Sequence, residues 1–135
     1  MALPHFRVTK RLTYSDIFSK LELPTLIQDH MIPFMNGNHF LDLMAADIWG
    51  QQWPLRYYTR PAGHRRGPVF TKHRWRQFVE AKRLRVGDEF IFSGHQVIAA
   101  DDGELEIQYN IEVKRASAIT FRGQPVVLDV EYLAA

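Results

Sequence analysis

Arg60, Arg65 and Arg66 lie in the run Arg60-Pro-Ala-Gly-His-Arg-Arg-Gly67, with Arg56 four residues upstream. A guanidinium is a planar fork of donors that stays charged at ordinary pH. It pairs with phosphate oxygens and with the O6 and N7 edge of guanine. Gly63 and Gly67 lack a Cβ and so permit close approach of a backbone to a partner. His64 adds a ring nitrogen at the same tip. A second set, Lys10, Arg11, Ser15, Ser19 and Lys20, gathers near the start, and Lys72, Arg74 and Arg76 form a third. In an arbitrary protein an arginine-rich loop is more often a solvated loop, so the surroundings of these residues decide.

The elements that must position them read as short strands. Phe6, Val8 and Leu12 share one alternation phase, which predicts a strand over 6–12. Thr13 with Asp16 three residues on resembles a shortened capping box, so a short helix should follow. Ser15 and Asp16 suit helix capping as well as they suit contact with a ligand. Residues 21–24 predict a brief strand stopped by Pro24. Pro33, Gly37 and Asn38 punctuate a loop before a strand over 39–43, and a polar turn covers 47–52. A strand over 53–59 puts Trp53, Leu55 and Tyr57 on one face and Arg56 and Tyr58 on the other. A return strand over 68–72 makes the arginine loop the tip of a long hairpin.

Trp75, Phe78, Val79 and Lys82 follow the i, i+3, i+4, i+7 rule and predict a helix over 73–82, with the lysine stem joining the apolar stripe. Lys72, Arg74 and Arg76 would then straddle a helix start, where the macrodipole disfavours cations unless an anion is near. A turn at 86–89 leads to a strand over 90–92. Asp101-Asp102-Gly103 introduces the alternating Leu105, Ile107, Tyr109 and Ile111, and residues 126–132 predict a terminal strand. The spacing of Trp53, Trp75, Phe78, Phe90 and Phe92 suits a core better than stacking on unpaired bases. Asp88 after Gly87 reads as a turn or capping residue. Many short strands with two short helices predict an all-β barrel or sandwich.

Length and charge narrow the function. A chain of 135 residues fits one domain over 1–135, with 46% hydrophobic and 24% charged residues. No apolar stretch is long enough to cross a bilayer as a helix, and the first residues show no secretory leader. Cysteine is absent, which removes disulfides, thiolate zinc sites and cysteine nucleophiles and agrees with a reducing compartment. The net charge of +2 conceals a strong polarity. Residues 51–86 hold ten Lys and Arg against one acid, whereas residues 87–135 hold three against nine. Such a division points to an anionic partner on one face, nucleic acid foremost.

The order of the motifs resembles one family. Lys10-Arg11-Leu12-Thr13-Tyr14-Ser15-Asp16, Leu23-Pro24, Asp47-x-x-Gly50-x-x-Trp53-x-x-Arg56-Tyr57, Phe70-Thr71-Lys72 with Trp75 and Phe78-Val79, and Lys82-x-Leu84-x-Val86-Gly87-Asp88-x-Phe90-x-Phe92 stand in the order of plant B3 DNA-binding domains. The resemblance spans residues 6–111. It implies a seven-stranded open barrel with two short α-helices, no catalytic residue, no metal and no cofactor. It also implies a nuclear regulator whose partner is double-stranded DNA, with other transcription regulators as a second partner class and neither membrane nor small-molecule substrate. Two arms would enter the major groove, one after the first strand and one after Arg56-Tyr57. The DNA-contacting set so implied is Lys10, Arg11, Ser15, Ser19, Lys20, Arg56, Arg60, His64, Arg65, Arg66, Lys72 and Arg74. The sequence departs from the family pattern in a shorter, less basic first arm, a longer second arm, and His73-Arg74 where one glycine usually precedes the helix tryptophan.

Two other classes compete. Asp102 followed by Glu112-Val113-Lys114 imitates the carboxylate and E-x-K spacing of metal-dependent nucleases, in which carboxylates hold Mg²⁺ near the scissile phosphate. That spacing is loose and common in acidic strands, and the six histidines form no H-E-x-x-H pair. The other rival is a barrel serving as a protein-interaction module with little DNA specificity, the acidic stretch 101–112 meeting a basic partner.

Overall fold

The computed structural model describes residues 5–60, 67–99 and 101–133. The chain runs β1 (His5–Arg11), α1 (Tyr14–Phe18), β2 (Leu21–Glu22), α2 (Gln28–Met31), β3 (Phe40–Ala46), β4 (Gln52–Tyr58), β5 (Val69–Phe70), α3 (Lys72–Lys82), β6 (Glu89–Ile98), β7 (Leu105–Phe121) and β8 (Gln124–Asp129). Seven strands form one curled sheet in the order β1-β6-β7-β3-β4-β5-β2, and β8 adds to β7 off this path. Pairing is antiparallel except between β3 and β7. The expected open barrel is present.

Alternation places the core. In β1 Phe6 and Val8 point inward while Arg7 and Thr9 face solvent. Trp75, Tyr57, Phe70, Phe78, Phe90 and Phe92 are fully buried. Their rings meet mostly edge to face, Trp75 on Phe90 at 5.1 Å and Phe70 on Phe92 at 5.0 Å. This geometry sets the positive ring edge against a negative face. Trp75, Phe78, Phe90 and Phe92 are core, as their spacing predicts, while Trp53 from the same set is half-buried against Phe78.

The sheet ends at β1 and β2, and α1 spans the gap between them. Thr13 caps α1 through a complete capping box, its hydroxyl accepting from the Asp16 N–H while Asp16 Oδ2 accepts from the Thr13 N–H. Asp16 is also a hub. Its Oδ1 accepts from Lys10 Nζ at 2.9 Å and from the Glu22 N–H, and its carbonyl accepts from Trp75 Nε1 at 2.7 Å. Lys10 Nζ donates further to the Glu22 carbonyl at 2.6 Å. One ammonium thus clips the two free edges of the sheet together.

Three expectations change. Before the loop marked by Pro33, Gly37 and Asn38, where no helix was expected, stands α2, flanked by 3₁₀ turns at Thr25–Ile27 and Ile32–Phe34. Ile27, Met31 and Met35, four residues apart, are buried along it, and the two prolines obscured that period. The fourth-to-fifth strand hairpin exists, but β5 keeps only two residues because Thr71 becomes the N-cap of α3 and Lys72 its first residue. The terminal strand stops at Asp129, whose carboxylate accepts from the Glu131 N–H and starts a 3₁₀ turn.

Candidate nucleic-acid interface

The first arm lies between β1 and β2. Lys10 is committed to the Asp16–Glu22 clip, with 24% of its side chain exposed. Its ammonium holds the frame and is not a free cation. Arg11 is exposed and donates from Nη1 to the Gly87 carbonyl at 2.9 Å. Ser15 is exposed on α1, while Ser19 and Lys20 are half-buried on the way into β2. Lys20 has no acidic partner among the described residues.

The second arm grows from the β4–β5 hairpin, in which Tyr57 pairs with Phe70 and Tyr58 with Val69. Arg60 closes its base, Nε donating to the Gly67 carbonyl at 3.2 Å. Its Nη2 is buried and has no partner among the described residues. A Cβ on Gly67 would stand 2.8 Å from the Leu23 carbonyl oxygen and 3.2 Å from Thr25 Cγ2, so only glycine fits. The Leu23 N–H donates to the Pro68 carbonyl at 2.8 Å. The base of the second arm is therefore packed on the segment that leaves β2. His64, Arg65 and Arg66, the expected tip, lie outside the described residues.

Arg56 makes a bidentate pair with Asp42, at 2.7 Å from Nε and 3.1 Å from Nη2, and lies over the Phe40 ring at 5.3 Å. Both partners are exposed. The hydrogen bond holds the Asp42 carboxyl below the ordinary aspartate value and raises Arg56 above the ordinary arginine value. The Thr71 N–H bonds to the Arg56 carbonyl and brings the start of α3 alongside. Arg74 on that first turn is near enough to depress Asp42 further. Lys72 and Arg74 are exposed and form no ion pair among the described residues, and Thr71 gives no side-chain cap. No acid stands in the first turn of α3, so its positive end is uncompensated from within the helix. Arg76 instead pairs with Glu80 at i+4.

Two features escaped the reading of the residues. Asp42 was legible, because the 47–51 turn sets Ala46 opposite Gln52, and counting back places Asp42 opposite Arg56. The other is Tyr14 and Phe18, 70% and 50% exposed on α1 with ring centroids 4.5 Å apart. Their i, i+4 spacing was visible, but nothing in it says that this face stays uncovered. The nuclease-like trio does not assemble. Asp102 accepts from the Glu104 N–H in the turn before β7, whereas Glu112, with Lys114 at 3.9 Å, stands seven residues beyond the strand's start at Leu105, about 23 Å along at about 3.3 Å per residue.

The family model for the B3 DNA binding domain matches residues 9–109. The chain belongs to that family. Two solved structures share the fold. The Arabidopsis FUS3–DNA complex is 21% identical with a TM-score of 0.57, covering 81% of this chain and 96% of that one. A hypothetical protein of Arabidopsis thaliana is 17% identical with a TM-score of 0.55, covering 82% of this chain and 90% of the other. No curated protein matches the chain.

Proposed function

We propose that this chain is a sequence-specific transcription regulator of the nucleus that reads the major groove of double-stranded DNA with its two arms and breaks no bond. The observation that carries this reading is the match to a DNA-binding family over residues 9–109, which include both arms. The relative FUS3 was solved as a complex with DNA. Electrostatics support the same face: Lys20, Lys72 and Arg74 have no acidic partner among the described residues, as phosphate contacts require. Arg65 and Arg66 are assigned to base edges, with His64 beside them. Arg60 anchors the arm's base, Lys10 holds the frame, and Arg56 reaches DNA only by exchanging Asp42 for it.

Selection from random duplexes at physiological salt should enrich one motif. Replacing Arg65 or Arg66 by alanine should cost about 1–3 kcal/mol on that motif and relax one position. Undiminished affinity of the double variant would falsify the arm assignment. Failure to enrich any motif would favour the protein-interaction module.

A further inference from the structure

A groove runs past the C-terminal end of α3, away from the second arm, and meets the first arm only at Arg11. Its first part is an open concavity of about 490 Å³, its second of about 350 Å³, and Arg85 and Arg115 line both. One wall is Ala81, Arg83 and Arg85 at the helix end. The other is Val127, Val130 and Leu133 from β8 and the turn after it. That second wall lies beyond residue 109, where the family match stops. The helix separates this groove from the second arm: its eleven residues, at about 1.5 Å each, put Lys72 and Lys82 about 15 Å apart.

Two of the groove's three acids are already engaged. Asp88 is 3% exposed at its side chain and takes both Nε and Nη2 of Arg115 at 2.7 Å. Glu131 pairs with Lys82; Glu89 alone has no ion pair among the described residues and only stands opposite Lys114 in the β6–β7 register. Arg83 and Arg85, both exposed, have no acidic partner among the described residues. Arg11, at the far end, has the Gly87 carbonyl as its one side-chain partner among the described residues. A helix C-terminus favours a nearby cation. That accounts for one basic residue, not for three unpaired arginines around apolar walls.

We propose that this groove docks an extended acidic segment of a partner protein, with its carboxylates on Arg83, Arg85 and Arg11 and its apolar side chains against Val86, Val127 and Leu133. Val86 is 57% and Val127 55% exposed, so the peptide would cover apolar surface as well as neutralise charge. A concavity with aliphatic walls suits a single extended chain better than the convex, uniformly polar backbone of a duplex. Apart from Arg11 the site shares no residue with the arms, and it stands whether or not they read bases.

The test uses the whole chain and a twelve-residue peptide alternating Asp or Glu with Leu or Phe, beside its Asn and Gln counterpart. The acidic peptide should bind saturably and shift the amides of Ala81, Arg83, Val86 and Val127. Its affinity should fall at least about tenfold, the equivalent of one lost close charge pair, in the counterpart and in Arg83→Glu/Arg85→Glu. The double variant should keep its melting temperature and its duplex affinity. Absence of saturable binding, or equal binding by the variant, overturns the proposal. A variant that loses duplex affinity in the same proportion also overturns it, because the groove then follows DNA. Failure of the arm assignment shows separately, in Arg65→Ala/Arg66→Ala.

Discussion

Lys72 and Lys82 stand at the two ends of one helix and have opposite circumstances. Lys82 has a side chain 6% exposed, is bonded to Asp47 at 2.6 Å and to Glu131, and lies over the Trp53 ring at 5.4 Å. Lys72 is exposed and unpaired among the described residues. On the first arm Lys10 and Lys20 are both half-buried, and only the Asp16 carboxylate on Lys10 separates them. Residue type does not assign a role here; burial and the presence of a carboxylate do. A cation whose charge is satisfied inside the fold stabilises it, whereas a cation left in solvent is available to a ligand.

The contrast breaks most visibly at the buried end. Lys82→Ala leaves the Asp47 carboxylate, 5% exposed, without its cation, and should lower stability by about 3–5 kcal/mol in denaturant titration. Duplex affinity of the folded fraction should not change. A pH series sharpens the point. Burial opposes the Asp47 charge, but bonds from Lys82, Trp53 and the Gln51 and Trp49 N–H groups outweigh it and keep its pKa below the ordinary 3.8. Its contribution to stability is therefore whole above that ordinary value and disappears as pH falls through the lower folded-state value. In Lys82→Met the folded-state pKa of Asp47 rises, so its share of the acid-induced decline in melting temperature should shrink, leaving a shallower fall between neutral pH and about pH 3.

Gly67→Val comes next. The added side chain meets the backbone at Leu23, so about 1–3 kcal/mol of stability should go, with duplex affinity falling as the two arms lose their common base. The smallest effect on the fold belongs to Lys72→Ala and Arg74→Ala. Each should change stability by no more than about 0.5 kcal/mol and reduce the salt slope of duplex binding by about one. If either instead lowers the melting temperature and leaves the slope alone, the helix start is a structural face.

Much of the frame was legible because alternation and spacing report burial directly. The Trp75–Phe78–Val79 stripe and the Phe90–Phe92 pair are core, and the Thr13–Asp16 box caps α1. Charge was harder. Lys10 reads as a ligand contact because no local pattern announces that Glu22, twelve residues later, offers it a carbonyl. Lys82 reads as an apolar-stripe stem, and its two acids come from thirty-five and forty-nine residues away. Asp88 reads as a turn residue, which it is through the Arg85 N–H, but its second role depends on Arg115. Long-range ion pairs leave no periodic trace, so spacing alone does not separate a cation that the fold uses from one left to a ligand.

β1 has one partner in the main sheet, β6, with Val8 set opposite Phe92. During synthesis the opening segment must therefore wait until residues 89–95 have emerged before it can pair. Until then Phe6 and Val8 have no strand to shelter them, and the ammonium of Lys10 has no assembled edge to bridge. Any fragment cut before β6 should consequently be a poor folder and prone to clump, even though it holds both arms intact.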